Sequence, residues 1–394
     1  MRWDLRHTGY VDGVEFCDEQ LRGPFRSWKH RHRFLELHPN STTMIDEISY
    51  ELPWYARPLK LLLTRELTRL FTFRHAQLAS DLELHRRWSA APRKTILIAG
   101  ASGFIGSALT AFLSTAGHSV IRLVRRSPTR HDERYWDPDR DILDPGVFTG
   151  VDVVINLAGA PLLGRWSEKK KRLIKESRVT SASLLARTIA SLPKPPELAI
   201  MTSATGIYGD TRDTQADENS ASGSGFLAEV CAAWEAATKP IAQSSCRLVN
   251  LRIGTVLNAR GGALKQMLPP FSLGLGGRLG SGSQYMSWIG MSDLLGMIEH
   301  IIYTASISGP FNAVAPIPCT NRQFTDALGR VLHRPTILTL PGLALKGIFG
   351  ELADSMLLSS SRILATKALS SGYSYLRSDL RSTIEFECGL SVPT

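Results

Sequence analysis

Three glycines at a spacing of three residues follow a short apolar run. The run, residues 96–99, has the composition of a strand buried on both faces of a parallel sheet, and Gly100, Gly103 and Gly106 follow it. Glycine there permits a tight turn and lets the main chain approach a pyrophosphate, whose charge is met by free N–H groups at a helix start. The spacing therefore predicts a dinucleotide site. The expected cofactor contacts in this turn are Gly100, Ser102, Gly103, Phe104, Ile105 and Gly106.

Two arginines end the next predicted strand, residues 118–124. Folds that select NAD place an acidic residue at this strand end, where it holds the adenosine ribose hydroxyls. This chain has Arg125 and Arg126 instead, and guanidinium groups suit a 2′-phosphate. The strand end thus favours NADP(H) over NAD(H). The alternative is a solvated basic loop, which the following Ser-Pro-Thr-Arg-His sequence allows.

Polar groups follow two further apolar strands, at residues 151–159 and 198–203. The first strand ends in Asn-Leu-Ala-Gly and is expected to run along the adenine side of the cofactor, with contacts from Leu157, Ala158 and Gly159. The second strand ends at Ser203, and Tyr208 follows shortly after. Open α/β sheets hold their ligands at the carboxyl edge of the strands. Ser203 and Tyr208 are therefore the candidate catalytic residues, and Ser203 is also a candidate cofactor contact.

Two amphipathic helices are predicted around these strands, at residues 173–190 and 225–242. Cys231 lies in the second helix at a core position. The region contains no histidine that could activate its thiol, which favours a packing role over that of a nucleophile.

The glycine-rich segment 274–282 is expected to be a mobile loop near the substrate.

The first 90 residues form a separate unit. Residues 27–34 alternate, which places Trp28, His30, His32 and Phe34 on one face of a strand. Residues 42–52 alternate again after a turn at 39–41, and helical spacing begins at residue 59 and continues to 84. His30 and His32 have the spacing of metal ligands. The interpretation as ordinary buried histidines is preferred, and no metal is expected, because no carboxylate or cysteine completes a ligand set.

The bulk composition fits a globular, multidomain protein of 394 residues. The formal charge of +10 comes from scattered arginines and lysines, which favours anionic small molecules over nucleic acid. Five distant cysteines without a Cys-x-x-Cys pair predict no disulfide framework, and this suits the cytoplasm. No secretory signal and no membrane span is expected. The predicted domains are residues 1–90, 91–310 and 311–394.

Taken together, the strand with its glycine turn, the Asn-Leu-Ala-Gly strand end, the serine strand end before Tyr-Gly and a late Leu-Arg-Ile-Gly strand resemble the extended short-chain dehydrogenase/reductase superfamily. The chain most resembles its atypical branch of epimerase family proteins. The segments that carry this resemblance are 156–161, 165–166, 177–179, 203–209, 226–235, 261–264 and 287–289. The resemblance implies a Rossmann-type, doubly wound parallel sheet with a small C-terminal α/β substrate domain.

The chain departs from the superfamily at the residues that transfer protons. Working members carry Tyr-x-x-x-Lys on the helix after the serine strand, where the lysine lowers the tyrosine pKa. Here that region reads Phe-Leu-Ala-Glu-Val-Cys and contains neither residue. A helix position that is often Asn in working members is Arg178, which the resemblance places among the cofactor contacts. In the close branch a His and an acidic pair usually follow Trp288 and Ile289, and this chain has Gly-Met-Ser-Asp.

The first 90 residues resemble a partial α+β helix-grip (START-like) domain, in the order of two strands and a long C-terminal helix and in segments 22–34 and 46–53. Such a domain needs an N-terminal helix and more strands to close its apolar cavity. The chain is expected to begin partway through the domain, which argues against a ligand-carrying role for it.

Two functions follow from these observations. The first is an NADP(H)-dependent oxidoreductase or epimerase acting on a nucleotide-linked or otherwise anionic small molecule. In it, Ser203 hydrogen-bonds a substrate carbonyl and Tyr208 replaces the absent tyrosine as proton donor. The second is a catalytically silent NADP(H)-binding protein with a regulatory or assembly role. A second copy of the chain, forming a homodimer, is a further candidate partner.

Overall fold

The computed structural model describes residues 2–38 and 41–390. The chain packs as two compact units that divide between Gln77 and Leu78. The predicted domain limits at residues 90 and 310 stay predictions, and so does the helix-grip resemblance of the first unit. Pro39 and Asn40 of the predicted turn lie outside the described residues.

The first unit contains a four-stranded antiparallel sheet whose strands are paired in chain order, followed by a long helix. The elements are β1 (Asp4–Val11), β2 (Glu15–Arg22), β3 (Ser27–His38), β4 (Ser41–Glu51) and α1 (Lys60–Arg86). The predicted alternation is confirmed in β3, where Trp28, His30 and His32 are buried. On the opposite face, Arg31 pairs with Glu15 of β2 at 2.6 Å. The period of two therefore separates a buried face from a charged one.

The second unit is built on an eight-stranded sheet with smaller pairs of strands beside it. In chain order the strands are β5 (Thr95–Ala99), β6 (Ser119–Val124), β7 (Glu133–Asp137), β8 (Ile142–Leu143), β9 (Val153–Asn156), β10 (Leu198–Ala204), β11 (Arg247–Ile253), β12 (Thr255–Leu257), β13 (Gly277–Leu279), β14 (Tyr285–Met286), β15 (Trp288–Gly290), β16 (Gly309–Ala313), β17 (Cys319–Thr320) and β18 (Leu338–Leu340). The order across the large sheet is β16-β11-β10-β9-β5-β6-β7-β8, and its neighbours are parallel except β7 and β8. This is the predicted doubly wound α/β sheet.

Helices cover both faces of this sheet, and others pack together beside it in a separate core. In chain order the helices of the second unit are α2 (Phe104–Thr115), α3 (Glu168–Ser191), α4 (Phe226–Ala236), α5 (Gly262–Ser272), α6 (Met291–Tyr303), α7 (Asn321–Leu332), α8 (Gly342–Phe349), α9 (Thr366–Ser370) and α10 (Leu380–Glu387). Alternate residues of β5 face opposite layers: Ile96 packs with α2 and α6, whereas Leu97 packs with α3. Burial on both faces explains the continuous apolar run of this strand. Helix α4 is shorter than predicted, because Pro240 starts a separate 3₁₀ turn.

Two buried carboxylates attach the C-terminal part of the second unit to the start of α6. Asp293, in the first turn of α6, accepts hydrogen bonds from the backbone N–H groups of Leu376 at 2.7 Å and Arg377 at 3.2 Å. Glu387, at the end of α10, accepts from Asn258 Nδ2 at 2.6 Å and from the Ser292 N–H at 3.3 Å. Burial raises the pKa of Glu387 to about 7, and hydrogen bonds to its carboxylate oppose this shift.

The raised pKa of Glu387 predicts a pH-dependent stability. A carboxyl group whose pKa is higher in the folded than in the unfolded chain stabilises the fold at low pH, and this contribution is lost as the pH rises from about 4.5 to about 7. At about 1.4 kcal/mol per pKa unit, the free energy of unfolding should fall by about 3 kcal/mol over this range. Glu387→Gln should flatten this part of the curve, as measured by urea unfolding at several pH values. Glu385→Gln, whose side chain pairs with Arg381 on the surface, is the control and should keep the wild-type slope.

Candidate functional site

The glycine turn between β5 and α2 is closely packed against its surroundings. Gly100 has a φ of 82°, and a Cβ there would lie 2.8 Å from the carbonyl carbon of Leu157. A Cβ on Gly106 would overlap the carbonyl oxygen of Gly100 and lie 2.8 Å from the Cα of Ala101. Gly100 is therefore required both by its positive φ and because a side chain would not fit there. Gly106 is required only because a side chain would not fit.

Helix α2 begins directly at this turn. Gly103 is its N-cap and brings no side chain to cap the first turn, so no side chain competes with a ligand for the N–H groups there. The predicted contact Ser102 is exposed and Ile105 is half-buried. The ring of Phe104 lies against Gly261 at the start of α5. The turn thus offers main-chain N–H groups and a helix N-terminus to an anion, as a pyrophosphate requires.

The structure distinguishes the two arginines after β6. Arg126 donates to both carboxylate oxygens of Glu133, at 2.7 and 2.9 Å. This pairing lowers the pKa of Glu133 to about 2. The side chain of Arg125 is 70% exposed and has a 3.9 Å ion pair with Asp139. Arg126 is therefore committed to a structural ion pair, whereas Arg125 remains accessible to a ligand.

Two buried polar groups at the carboxyl ends of β9 and β10 lack hydrogen-bond partners within the described residues: Asn156 Nδ2 and Ser203 Oγ. The other side-chain atom of Asn156, Oδ1, accepts from the N–H of Ala158 at 3.1 Å and shapes the predicted contact segment that ends at Gly159. A buried polar group without a partner costs free energy, so both atoms are suited to a ligand. Asn156 is a site residue that the sequence interpretation did not select, although it precedes the segment that was selected.

Arg178 of α3 lies beside the same edge. Its guanidinium packs against Gly159, where a Cβ would be 3.2 Å from Cζ, and over the ring of Trp234 at 5.3 Å. One nitrogen donates to the carbonyl of Ile174 at 2.9 Å. Burial lowers the pKa of Arg178. No ion pair is found for this guanidinium in the described part of the chain, so its charge is available to an anionic ligand.

Tyr208 lies in a hydrogen-bonded network and not at an open surface. Its side chain is 5% exposed, and its hydroxyl donates to Asn312 Oδ1 at 2.7 Å and accepts from Arg252 at 2.8 Å. Arg252 in turn donates to both carboxylate oxygens of Glu235, at 2.8 and 2.9 Å. Burial raises the pKa of Tyr208, and the hydrogen bond from Arg252 opposes this shift. The hydroxyl therefore has both a donor and an acceptor partner inside the protein.

The helix that carries Tyr-x-x-x-Lys in working superfamily members is α4 in this chain. The ring of its first residue, Phe226, lies 5.0 Å from the ammonium of Lys171, which also pairs with Glu351 at 3.0 Å. Burial raises the pKa of the Cys231 thiol to about 11, which agrees with a packing role for this cysteine. Of the predicted catalytic side chains, Ser203 therefore has the less committed hydroxyl, because the thiol of Cys231 beside it is only a weak hydrogen-bonding group.

Comparisons with known proteins identify related chains. Residues 96–312 match the NAD dependent epimerase/dehydratase family, and residues 340–386 match a domain of unknown function, DUF1731. An epimerase family protein of Mycobacterium bovis is 44% identical over 281 residues, which cover 71% of this chain and 93% of that protein.

Two solved structures are also similar. The crystal structure of human epimerase family protein SDR39U1 (isoform 2) with NADPH is 33% identical and has a TM-score of 0.69, covering 74% of this chain and 99% of the human one. A nucleoside-diphosphate sugar epimerase from Corynebacterium glutamicum is 33% identical with a TM-score of 0.79, covering 98% of this chain and 77% of that one. Among the described helices, none is both long and apolar enough to cross a bilayer.

The close packing at Gly106 predicts a specific loss of stability. Gly106→Ala should lower the melting temperature by roughly 5 °C, because overpacking of about 1–3 kcal/mol outweighs the better helix propensity of alanine, about 1 kcal/mol. Gly347→Ala in α8 is the matched control, since a Cβ there meets no heavy atom within 4 Å. Thermal unfolding by circular dichroism measures both variants. Equal melting temperatures for Gly106→Ala and the wild type would show that the turn is not packed as described.

Proposed function

Because the chain belongs to the NAD dependent epimerase/dehydratase family, we propose that it binds NADP(H) and acts as an oxidoreductase or epimerase on an anionic, nucleotide-linked small molecule. The observation that carries this proposal is the pair of unpartnered polar groups, Asn156 Nδ2 and Ser203 Oγ, beside the glycine turn. They lie on adjacent strands at the edge where such folds hold their ligands. A cytoplasmic location is part of the proposal, and the five free cysteines agree with it.

The cofactor would lie across the turn that begins at Gly100. The N-terminus of α2 would stabilise its pyrophosphate, and the segment from Leu157 to Gly159 would line its adenine side. The bound nicotinamide would supply or accept a hydride. The human relative whose crystal structure contains NADPH supports the phosphorylated cofactor.

Arg125 would select this cofactor over NAD(H). It follows β6 directly, where the adenosine ribose is held in dinucleotide folds, and its guanidinium is exposed. A 2′-phosphate would receive charge-assisted hydrogen bonds from it. Arg126 would contribute indirectly. Its ion pair with Glu133 would neutralise a buried carboxylate close to the phosphate.

Ser203 and Arg178 would act on the substrate side. The hydroxyl of Ser203 would hydrogen-bond a substrate carbonyl, since it has no partner among the described residues. Arg178 would balance an anionic group, and its half-buried position strengthens such a contact. Tyr208 stays a predicted proton donor. In that role its hydroxyl would have to release the hydrogen bond to Asn312.

A second candidate function is NADP(H) binding without turnover. The occupied hydroxyl of Tyr208 and the thiol of Cys231, with its pKa of about 11, favour it, because neither group is ready to transfer a proton at neutral pH. Stoichiometric NADPH binding, with neither net NADPH oxidation by carbonyl compounds nor epimerisation of sugar nucleotides, would select this function over the first.

Separate substitutions of the two arginines test the cofactor preference. Arg125→Ala should weaken NADPH binding about tenfold, equivalent to about 1.4 kcal/mol, and leave NADH binding unchanged, because it removes a contact to the 2′-phosphate alone. Arg126→Ala should instead lower the melting temperature and keep the preference, because it removes the two hydrogen bonds from a guanidinium to the buried Glu133 carboxylate. This leaves Arg122 at 3.3 Å and Thr129 as the contacts of that carboxylate. Titration calorimetry with all four nicotinamide dinucleotides gives the affinities. An unchanged preference in Arg125→Ala would exclude this arginine as the selecting residue.

Removing the hydroxyl of Ser203 tests the catalytic half of the proposal. Ser203→Ala should lower kcat for NADPH oxidation about 100-fold with little change in NADPH affinity, because it removes a donor to the reacting oxygen. Ser191→Ala, at the C-terminal end of α3 and before the amino end of β10, is the matched control. Stopped-flow absorbance at the NADPH band measures turnover. Full activity of Ser203→Ala would remove this residue from the mechanism.

A further inference from the structure

Six ionisable side chains meet on one face of the sheet in the first unit. Strands β1 to β4 supply five of them, and α1 supplies the sixth. They are His7, Asp18, His30, His32, Asp46 and His75. The side chains of His30, His32 and Asp46 are 5%, 4% and 2% exposed, and that of Asp18 is 16% exposed.

The strand register brings these groups together. Asp18 of β2 is paired with His30 of β3, and Asp46 of β4 is paired with His32 of β3. The two histidines are two residues apart, so they share a face, and their ring centres are 3.8 Å apart. The premise that no carboxylate completes a ligand set is therefore wrong: the carboxylates are distant in sequence and adjacent in the sheet.

The buried carboxylate of Asp46 touches both rings. Its Oδ1 lies 3.0 Å from His30 Nε2 and 2.8 Å from His32 Nδ1, and its Oδ2 lies 2.7 Å from His75 Nε2. The remaining nitrogen of His32, Nε2, lies 3.4 Å from Asp18 Oδ2. A neutral imidazole carries one hydrogen, so His32 cannot donate to both carboxylates at once. Asp18 Oδ1 lies 2.5 Å from Nδ1 of the exposed His7, so each carboxylate of the cluster contacts more than one imidazole.

We propose that His30, His32 and Asp18 bind a divalent transition metal ion such as Zn²⁺. Asp46 orients the two imidazoles through the nitrogens that do not bind the metal. One ligand atom from each of the three residues lies within 4.8 Å of the others. Tetrahedral ligands about 2.1 Å from zinc are about 3.4 Å apart, so small side-chain rotations close the site. Metal-bound histidines commonly direct their other nitrogen to a carboxylate, as His32 does here.

The charges in the cluster favour a metal ion over a set of ion pairs. Two carboxylates, Asp18 and Asp46, contact the two buried imidazoles, and metal binding requires imidazole in its neutral form. A divalent cation between Asp18 and the imidazoles would balance the carboxylate charge. His7, which is exposed, and His75 complete the polar surroundings.

Zinc binding by the full chain tests this site. Titration of the purified protein with Zn²⁺ alone, in competition with a chromophoric chelator, should show one site per chain. Asp18→Asn should weaken binding at least about tenfold, and His30→Gln combined with His32→Gln should abolish it. Asp46→Asn should weaken it about 10- to 100-fold, as expected of a carboxylate that orients metal ligands. Co²⁺ should give visible absorption bands in the wild type that Asp18→Asn changes.

His38→Gln, an exposed residue of the same strand, is the control and should bind Zn²⁺ like the wild type. Circular dichroism reports whether each variant is folded. If the double histidine variant does not fold, the conservative Asp18→Asn decides the question. Absence of Zn²⁺ binding by the wild type, or equal affinity in Asp18→Asn, would show that the cluster is a set of ion pairs without a metal.

Discussion

The contact between Gly106 and the carbonyl of Gly100 is the constraint on which the second unit depends. It sets α2 so close to the end of β5 that any larger side chain at residue 106 would collide with the main chain. The helix N-terminus is thereby held at the carboxyl edge of the sheet. Gly100 also lies against Leu157, so the same turn fixes the neighbouring strand end. Asn156, whose Nδ2 has no partner within the described residues, directly precedes this contact.

The arginines of the second unit differ in whether a carboxylate binds them. Arg126 and Arg252 are each held by a carboxylate through two hydrogen bonds. Arg125 and Arg178 have no such partner among the described residues. In the proposed function, these two guanidinium groups would contribute the attraction for an anionic cofactor and substrate, beyond the overall net charge of +10.

Much of the fold could be predicted from periodicity, and the site could be predicted in part. The apolar run of β5 and the alternation of β3 each follow from burial, which a sequence reveals directly. The different roles of Arg125 and Arg126 could not be predicted, because they depend on how Glu133 is placed by β7. The network of Tyr208, Arg252 and Asn312 joins three distant segments and leaves no local pattern. Asp18 and His30 are likewise joined only by strand register.

The attachment of the C-terminal residues to α6 has a consequence for the order of folding. Ser292 and Glu387 are 95 residues apart, and Asp293 and Leu376 are 83 apart, so these bonds close long loops late in the chain. During synthesis, the strands of the sheet and α6 leave the ribosome before Leu376 and Glu387, which complete these bonds. Until then the carboxylate of Asp293 stays hydrated and the start of α6 stays open. Helix α10 therefore joins the start of α6 only after the strands of the sheet have been synthesised.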